Sequence, residues 1–82
     1  MKRFIVSYDL LRPGQNYHQL FNALEVLGAK RALLSLWVLR GDYKASSIRD
    51  HLMRYIDQND RVIVTEMGDW ATYNSMVDIN TV

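Results

Sequence analysis

An aspartate at the end of the first apolar stretch, Asp9, is the residue of this sequence best suited to chemistry. It follows the strand-forming residues 4–8 (FIVSY) and precedes a loop that contains Pro13 and Gly14. One carboxylate makes a poor magnesium site, because Mg²⁺ takes six oxygen ligands in octahedral geometry. A second Asp9 from a two-fold related copy would complete the pair, and Mg²⁺ or Mn²⁺ held there could act on a phosphodiester.

A purely structural role for Asp9 stays open as the alternative, since an aspartate beyond a strand often accepts backbone N–H bonds in the following loop. Few other chemistries are indicated. The chain has no cysteine, no glycine-rich phosphate loop and no pair of histidines at the spacing of metal ligands. We interpret His18 and His51 as surface residues, not as an acid or a base.

Positive charge is concentrated in the first half of the chain. Residues 1–41 hold six Lys/Arg against two Asp/Glu, and residues 42–82 hold four against seven. This asymmetry permits a basic face, although an ordinary solvated surface explains it as well. Trp70 could stack on a base, whereas Trp37 is better explained by core or interface packing. The cations that could contact nucleic-acid phosphates are Arg12, Lys30, Arg31, Arg40 and Lys44.

The first two elements that must position these residues are a strand and a helix. Alternating strand-forming residues predict a strand over 2–8, with Ile5 and Asp9 on one face and Phe4, Val6 and Tyr8 on the other. Apolar residues at helical spacing predict a helix over 16–27. Asn16 is its expected N-cap, and Gly28 is expected just beyond its end.

The second half of the chain is predicted to add strands and one more helix. Residues 30–40 (KRALLSLWVLR) fit either one long strand or two strands bent near Ser35. A helix capped by Ser46 or Ser47 follows, and residues 61–67 predict the last strand. With two strands in the middle, the order is βαββαβ, the ferredoxin-like plan, an α+β fold with both helices on one face of an antiparallel sheet.

The length and composition predict one domain over residues 1–82, with a frayed tail at about 75–82. No apolar run approaches the roughly 20 residues that span a bilayer, and the basic start reads as the first strand. We therefore expect a cytoplasmic protein with no membrane partner.

The helix-free face of this sheet is predicted to be apolar. A sheet covered on one side should alternate apolar and polar residues, yet residues 32–39 and 61–65 are apolar on both sides. Exposed apolar patches of this kind usually mark an interface. We expect a homodimer in which two open faces pack together or two sheets join at an edge. The expected interface residues are Ile5, Trp37 and Ile63.

Several segments resemble a known family. FIVSYDL (4–10) resembles the first strand of the CRISPR adaptation protein Cas-two, and KRALLSLWV (30–38) resembles its arginine-x-glutamine-x-serine segment. SIRDHLMRYIDQNDRVIV (47–64) resembles its second helix and the following strand. The VapD proteins are similar too, through the strand ending in DL and a late tryptophan, here in EMGDWATY (66–73). Short stand-alone SinR-like relatives share this pattern, which covers roughly residues 2–73.

The resemblance implies a ferredoxin-like homodimer. Members of both families are described as metal-dependent ribonucleases or deoxyribonucleases, and Cas-two also bridges integrase subunits on DNA. By match, Asp9 would be the metal carboxylate, with Tyr8, Arg31 and Ser35 near it, while Leu33 replaces the usual glutamine. Two functions follow as expectations. One is a Mg²⁺- or Mn²⁺-dependent endonuclease, with RNA favoured over DNA, and the other is a non-catalytic dimer that binds nucleic acid or protein.

Overall fold

The computed structural model describes residues 1–11 and 17–82. Within these residues no helix has the length and apolar character needed to cross a membrane. Short 3₁₀ helices follow the second α-helix and precede the end of the chain, at Met53–Tyr55 and Ile79–Thr81. The main elements are β1 (Lys2–Asp9), α1 (His18–Val26), β2 (Lys30–Leu33), β3 (Leu36–Gly41), α2 (Ala45–Leu52) and β4 (Arg61–Glu66).

The four strands form one antiparallel sheet in the order β2-β3-β1-β4. Strand β1 is central, so that Val6 lies opposite Trp37 of β3 and Asp9 lies opposite Arg61 of β4. The chain is therefore an α+β protein with a four-stranded antiparallel sheet and two helices, as the sequence predicted at this level.

Residues 30–40 form two strands, which decides between the two predicted alternatives. Leu34 and Ser35 make the turn between β2 and β3, and the register of the two strands shifts just before it, between Arg31 and Leu33. The serine is the polar break within the apolar run, and the turn falls there.

The predicted end of the first helix is confirmed. Gly28 has a φ of 86°, a conformation that favours glycine, and its N–H donates to the Glu25 carbonyl at 2.9 Å. The Ala29 N–H donates to the Leu24 carbonyl at 3.0 Å, so that the two bonds of a Schellman motif close the helix. At the other end the predicted cap, Asn16, lies outside the described residues.

The predicted start of the second helix is wrong. Helix α2 begins at Ala45, and the N-cap position is held by Lys44, without a side-chain capping bond. The extended Lys44 places its carbonyl where the N–H groups of Ser47 and Ile48 reach it, at 3.0 and 3.2 Å. The buried Ile48 sets the phase of the helix against the sheet, and Ser46 is left on its exposed surface.

The main core lies between the helices and one face of the sheet. Trp37 belongs to this core, because its position opposite Val6 turns it toward the helices and leaves it 4% exposed. The expectation that Trp37 lies at a dimer interface is therefore wrong. The core joins residues of β1 and β3 to the helices, including Phe4, Val6, Tyr8, Trp37, Leu39, Leu20, Leu24, Ile48 and Leu52.

The other face of the sheet is covered in part by residues 67–82, called here the C-terminal segment. Ile79 is 5% exposed and packs in a second apolar cluster with Ala32 and Val38. This differs from the predicted frayed tail at about 75–82. The difference arises from contacts between residues distant in sequence, because Ile79 buries its side chain over apolar positions of β2 and β3 that the helices do not reach.

Arg3 holds the C-terminal segment against the sheet. Its carbonyl accepts the N–H of Met67 at 2.8 Å, and its guanidinium donates to the carbonyls of Val82 and Asn80, both at 3.3 Å. The same guanidinium lies 5.6 Å from the centre of the Trp70 ring. These contacts fix both ends of the segment to one residue of the central strand.

Candidate functional site

Asp9 is an exposed carboxylate at the last position of the central strand. Its side chain is 66% exposed, and the guanidinium of Arg61, directly opposite on β4, lies 3.8 Å from it. An exposed and long ion pair of this kind is worth at most about 1 kcal/mol. Asp9 is therefore available to another cation at little cost to folding.

A different carboxylate performs the loop-stabilising role that was the alternative for Asp9. Oδ1 of Asp60 accepts the backbone N–H of Leu11 at 2.8 Å and the hydroxyl of Tyr17 at 2.9 Å. Its Oδ2 accepts the N–H of Asp57 at 2.8 Å. Asp60 thus ties the chain just after β1 to the start of α1, whereas Asp9 accepts no backbone N–H from residues 1–11 or 17–82.

The residues around Asp9 fit a metal ion only in part. Across the described ranges, no three His, Cys, Asp or Glu side chains come together in a way that could hold an ion. One chain offers a single carboxylate with a cation, Arg61, beside it. Since Mg²⁺ is commonly held by one or two carboxylates plus waters and substrate phosphates, the donors fit if a second copy contributes its own Asp9.

An apolar side chain shares the surface with Asp9. Ile63 is 67% exposed on β4, in register with Ser7, and both line a shallow depression of about 150 Å³ together with Asp9 and Arg61. We call Ser7, Asp9, Arg61, Ile63 and Thr65 the β4 patch. Of the three predicted interface residues, Ile63 alone is well exposed, because Trp37 is buried and Ile5 lies beneath the C-terminal segment.

On the helix side of the sheet, near the end of β1, the Tyr8 hydroxyl is the centre of a group of hydrogen bonds. This hydroxyl accepts hydrogen bonds from Nη2 of Arg31 at 3.1 Å and from Nε1 of Trp37 at 3.0 Å, and it donates to the Leu34 carbonyl at 3.4 Å. The Tyr8 N–H donates to the Ser35 carbonyl at 3.1 Å. The structure therefore brings together Tyr8, Arg31 and Ser35, although on the helix face and not on the face of Asp9.

Arg31 is engaged within the chain. Its guanidinium lies 4.5 Å from the ring centre of Phe21 and 4.9 Å from that of Trp37. Its Nε is buried and lacks a hydrogen-bond partner among the described residues. A cation that lies over two neighbouring aromatic rings fixes the edge strand to the core, so Arg31 is a weaker candidate for phosphate binding than the sequence suggested.

Lys30, Arg40 and Arg12 were also predicted to bind phosphate, and the structure describes the first two. Lys30 and Arg40 are exposed and lie on the helix-free face, opposite Val38 and Arg3 respectively. Arg12 lies outside the described residues. The predicted phosphate-binding set is thus split, with Lys30 and Arg40 on one face and Arg31 on the other.

Two comparisons with known proteins gave no match. No protein-family model matches the chain, and no solved structure matches it significantly. The likeness to the Cas-two and VapD families stays a hypothesis that rests on the quoted segments.

Proposed function

We propose that the chain is a homodimeric, Mg²⁺- or Mn²⁺-dependent endonuclease of ferredoxin-like fold, with RNA favoured over DNA as its substrate. One Asp9 from each copy would lie at the two-fold axis. The observation that supports this most is the state of Asp9: an exposed carboxylate at the end of the central strand, which accepts no backbone N–H from residues 1–11 or 17–82 and lies beside the exposed Ile63. The antiparallel order β2-β3-β1-β4 is compatible with the ferredoxin-like plan.

The proposed site is complete only in a dimer, because it needs Asp9 from two copies of the chain. Packing two β4 patches against each other would bury Ile63 and Ile63 of the partner subunit, and this removes apolar surface from water. The same contact would bring two carboxylates toward each other. Their mutual repulsion favours a cation between them, so that metal binding and dimer formation should strengthen each other.

The residues of this chain would then have separate roles. A bound divalent ion would supply charge stabilisation at the phosphodiester and a more acidic water. Asp9 would hold the ion, and Arg61, exposed and 3.8 Å from Asp9, would bind a phosphate oxygen of the substrate. Tyr8 would position Asp9, because its N–H is fixed by the turn residue Ser35 and its hydroxyl by Arg31 and Trp37.

The test is cleavage of single-stranded RNA by identically purified wild-type and Asp9→Asn proteins, with Mg²⁺ or Mn²⁺ and with EDTA. Metal-dependent cleavage that the substitution removes supports the proposal. Equal cleavage by both proteins, or cleavage that resists EDTA, contradicts it.

A second candidate function is a non-catalytic dimer of the same fold that binds nucleic acid or another protein. It is favoured by the position of Arg61, whose positive charge beside Asp9 opposes the binding of a cation there, and by the lack of a three-residue metal cluster in the described ranges. This function predicts no metal-dependent cleavage. Its nucleic-acid version also predicts binding that weakens steeply as salt rises, because phosphate contacts release counterions.

A further inference from the structure

A cavity of about 220 Å³ lies between the C-terminal segment and the helix-free face of the sheet. Ile5, Leu36 and Val38 are among the sheet residues that line it, and Trp70 and Tyr73 line it from the segment. Trp70 is 38% exposed and Tyr73 is 89% exposed. Two aromatic side chains are thus accessible from solvent at the border of a mainly apolar cavity.

The register of the sheet places three cations on the same face as this cavity, outside its lining. Lys30 lies directly opposite Val38, and Arg40 follows Val38 by two residues on the same strand. Arg3 precedes Ile5 by two residues on β1, opposite Arg40. Because side chains two apart on a strand share a face, all three cations lie on the face that forms the cavity floor.

Two of these cations are available to a ligand. Like charges directly opposite each other on neighbouring strands destabilise a sheet, yet Arg3 and Arg40 are so placed. The guanidinium of Arg3 is used by the C-terminal segment, as described above. Arg40 and Lys30 are exposed, and with residues 1–11 and 17–82 neither forms an ion pair or a side-chain hydrogen bond. An anion would relieve the repulsion at Arg40.

The acidic residues of the C-terminal segment do not cancel this charge. They are Asp69, which is exposed, and Asp78. Oδ1 of Asp78 accepts the backbone N–H of Asn80 at 3.0 Å, so this carboxylate has a structural role in the last 3₁₀ helix. This face of the sheet therefore has three cations and the segment has two acids, one of which is already engaged.

We propose that the cavity binds one unpaired base of a single-stranded nucleic acid, stacked on Trp70 and Tyr73, while Lys30 and Arg40 bind the adjoining phosphates. An aromatic platform beside a cationic surface is the general means by which proteins bind single strands. A drug-sized ligand needs a pocket of about 300–1,000 Å³, so that 220 Å³ suits a group the size of one base.

This subsite rests on the proposed function, since it names where the substrate of that function is held. Ile5 in the cavity and Asp9 lie on one face of β1, four residues apart, or about 13 Å. A strand anchored by one base at the cavity would therefore present a nearby phosphodiester to Asp9. Preference for single strands over duplexes follows, because a paired base cannot enter the cavity.

A second copy of the chain is the other occupant to consider, since Leu33 and Met76 near the cavity are also exposed. A two-fold contact over this face would bring Lys30 and Arg40 of both copies together, and this repulsion disfavours it. The cations favour an anionic ligand instead.

The experiment measures binding of a labelled single-stranded RNA to the Asp9→Asn protein in EDTA, by fluorescence anisotropy. Tyr73→Ala on this background should weaken binding roughly 5- to 150-fold, the loss expected for one stacked base. Met53→Ala, which removes an apolar side chain that is 55% exposed on the helix side, is the matched control and should leave affinity unchanged. Trp70→Ala should act like Tyr73→Ala, and Trp70→Phe should restore most of the affinity.

The proposed contact between Arg40 and a phosphate is tested in the same assay. Arg40→Ala should lower the slope of log affinity against log salt by about 0.7, the value for one phosphate of a single strand. Arg54→Ala, an exposed cation on the 3₁₀ helix after α2, should not change the slope. Equal effects of the two substitutions would overturn the assignment of the phosphates to Arg40.

The outcomes separate this proposal from the nuclease. Tyr73-dependent binding without any cleavage by wild-type protein contradicts the nuclease and supports the subsite. Cleavage by wild-type protein, together with an unchanged affinity in the Tyr73→Ala protein, overturns the subsite alone. A change of molar mass on Tyr73→Ala in light scattering would also overturn it, because the cavity face would then be a contact between copies.

Discussion

Asp9 and Arg61 lie directly opposite each other on neighbouring strands, with the carboxylate 3.8 Å from the guanidinium. Both side chains are more than half exposed, so the pair contributes little to folding. What the pair does is place one anion and one cation side by side at the end of the sheet. A divalent ion beside a phosphate would complement this pair, with the ion at Asp9 and the phosphate at Arg61.

The Tyr8 hydroxyl provides a first prediction, on stability. Tyr8→Phe would leave Nη2 of Arg31 and Nε1 of Trp37 without their acceptor, and this should destabilise the protein by about 1–3 kcal/mol. The measurement is the free energy of unfolding in urea. Tyr73→Phe, at a position that is 89% exposed, is the control and should change it by less than about 0.5 kcal/mol. Equal values for the two variants would show that the hydrogen bonds around Tyr8 are not formed.

Asp60 should be more important for stability than Asp9. Asp60→Ala removes the acceptor of three hydrogen bonds, from Leu11, Tyr17 and Asp57, and should cost about 2 kcal/mol or more. Asp9→Ala should stay within about 1 kcal/mol of wild type, because its ion pair with Arg61 is exposed. Both values come from urea denaturation. The reverse order would mean that Asp9, and not Asp60, is the loop-stabilising aspartate.

The C-terminal segment gives a third prediction. Ile79→Ala should destabilise the protein by about 2–4 kcal/mol, because it opens a cavity over Val38. It should also speed amide hydrogen exchange in residues 67–82. Val26→Ala, at a helix position that is 78% exposed, is the control and should do neither. Equal and fast exchange of this segment in wild type and Ile79→Ala would show that it is frayed, as its sequence suggests.

Local patterns allowed much of the fold to be predicted. Alternation located β1, and the glycine at position 28 located the end of α1, because each depends on residues adjacent in sequence. The C-terminal segment could not be found in this way. Ile79 is buried by Val38, which is 41 residues away in sequence, and no local period marks such a contact.

The candidate site was predicted less completely than the fold. Alternation gave the correct face for Asp9. The resemblance grouped Tyr8 and Arg31 with Asp9, whereas the structure joins Tyr8 to Arg31 on the opposite face. The sequence did not show that Arg31 lies over the rings of Phe21 and Trp37, because the residue type alone does not show which lysines and arginines have partners within the chain. It did not single out Arg61 either, since only the register of β1 and β4 makes it a neighbour of Asp9.

Dimer formation is the fourth prediction. Size-exclusion chromatography with light scattering should give wild-type protein twice the chain mass of 9.6 kDa. Ile63→Glu should give the monomer, because it places a charge in the apolar centre of the β4 patch. Leu34→Glu, at a turn position that is 81% exposed, is the control and should remain dimeric. Wild-type protein at 9.6 kDa would contradict a shared metal site.

The most direct test of the central claim is cleavage of single-stranded RNA by wild-type, Asp9→Asn and Asp69→Asn proteins that are purified identically. With Mg²⁺ or Mn²⁺, wild type and Asp69→Asn should cleave equally, and EDTA should stop both. Asp9→Asn should be slower by roughly 100-fold or more, because it loses the charge that holds the ion. Cleavage by Asp9→Asn at the wild-type rate would contradict the account.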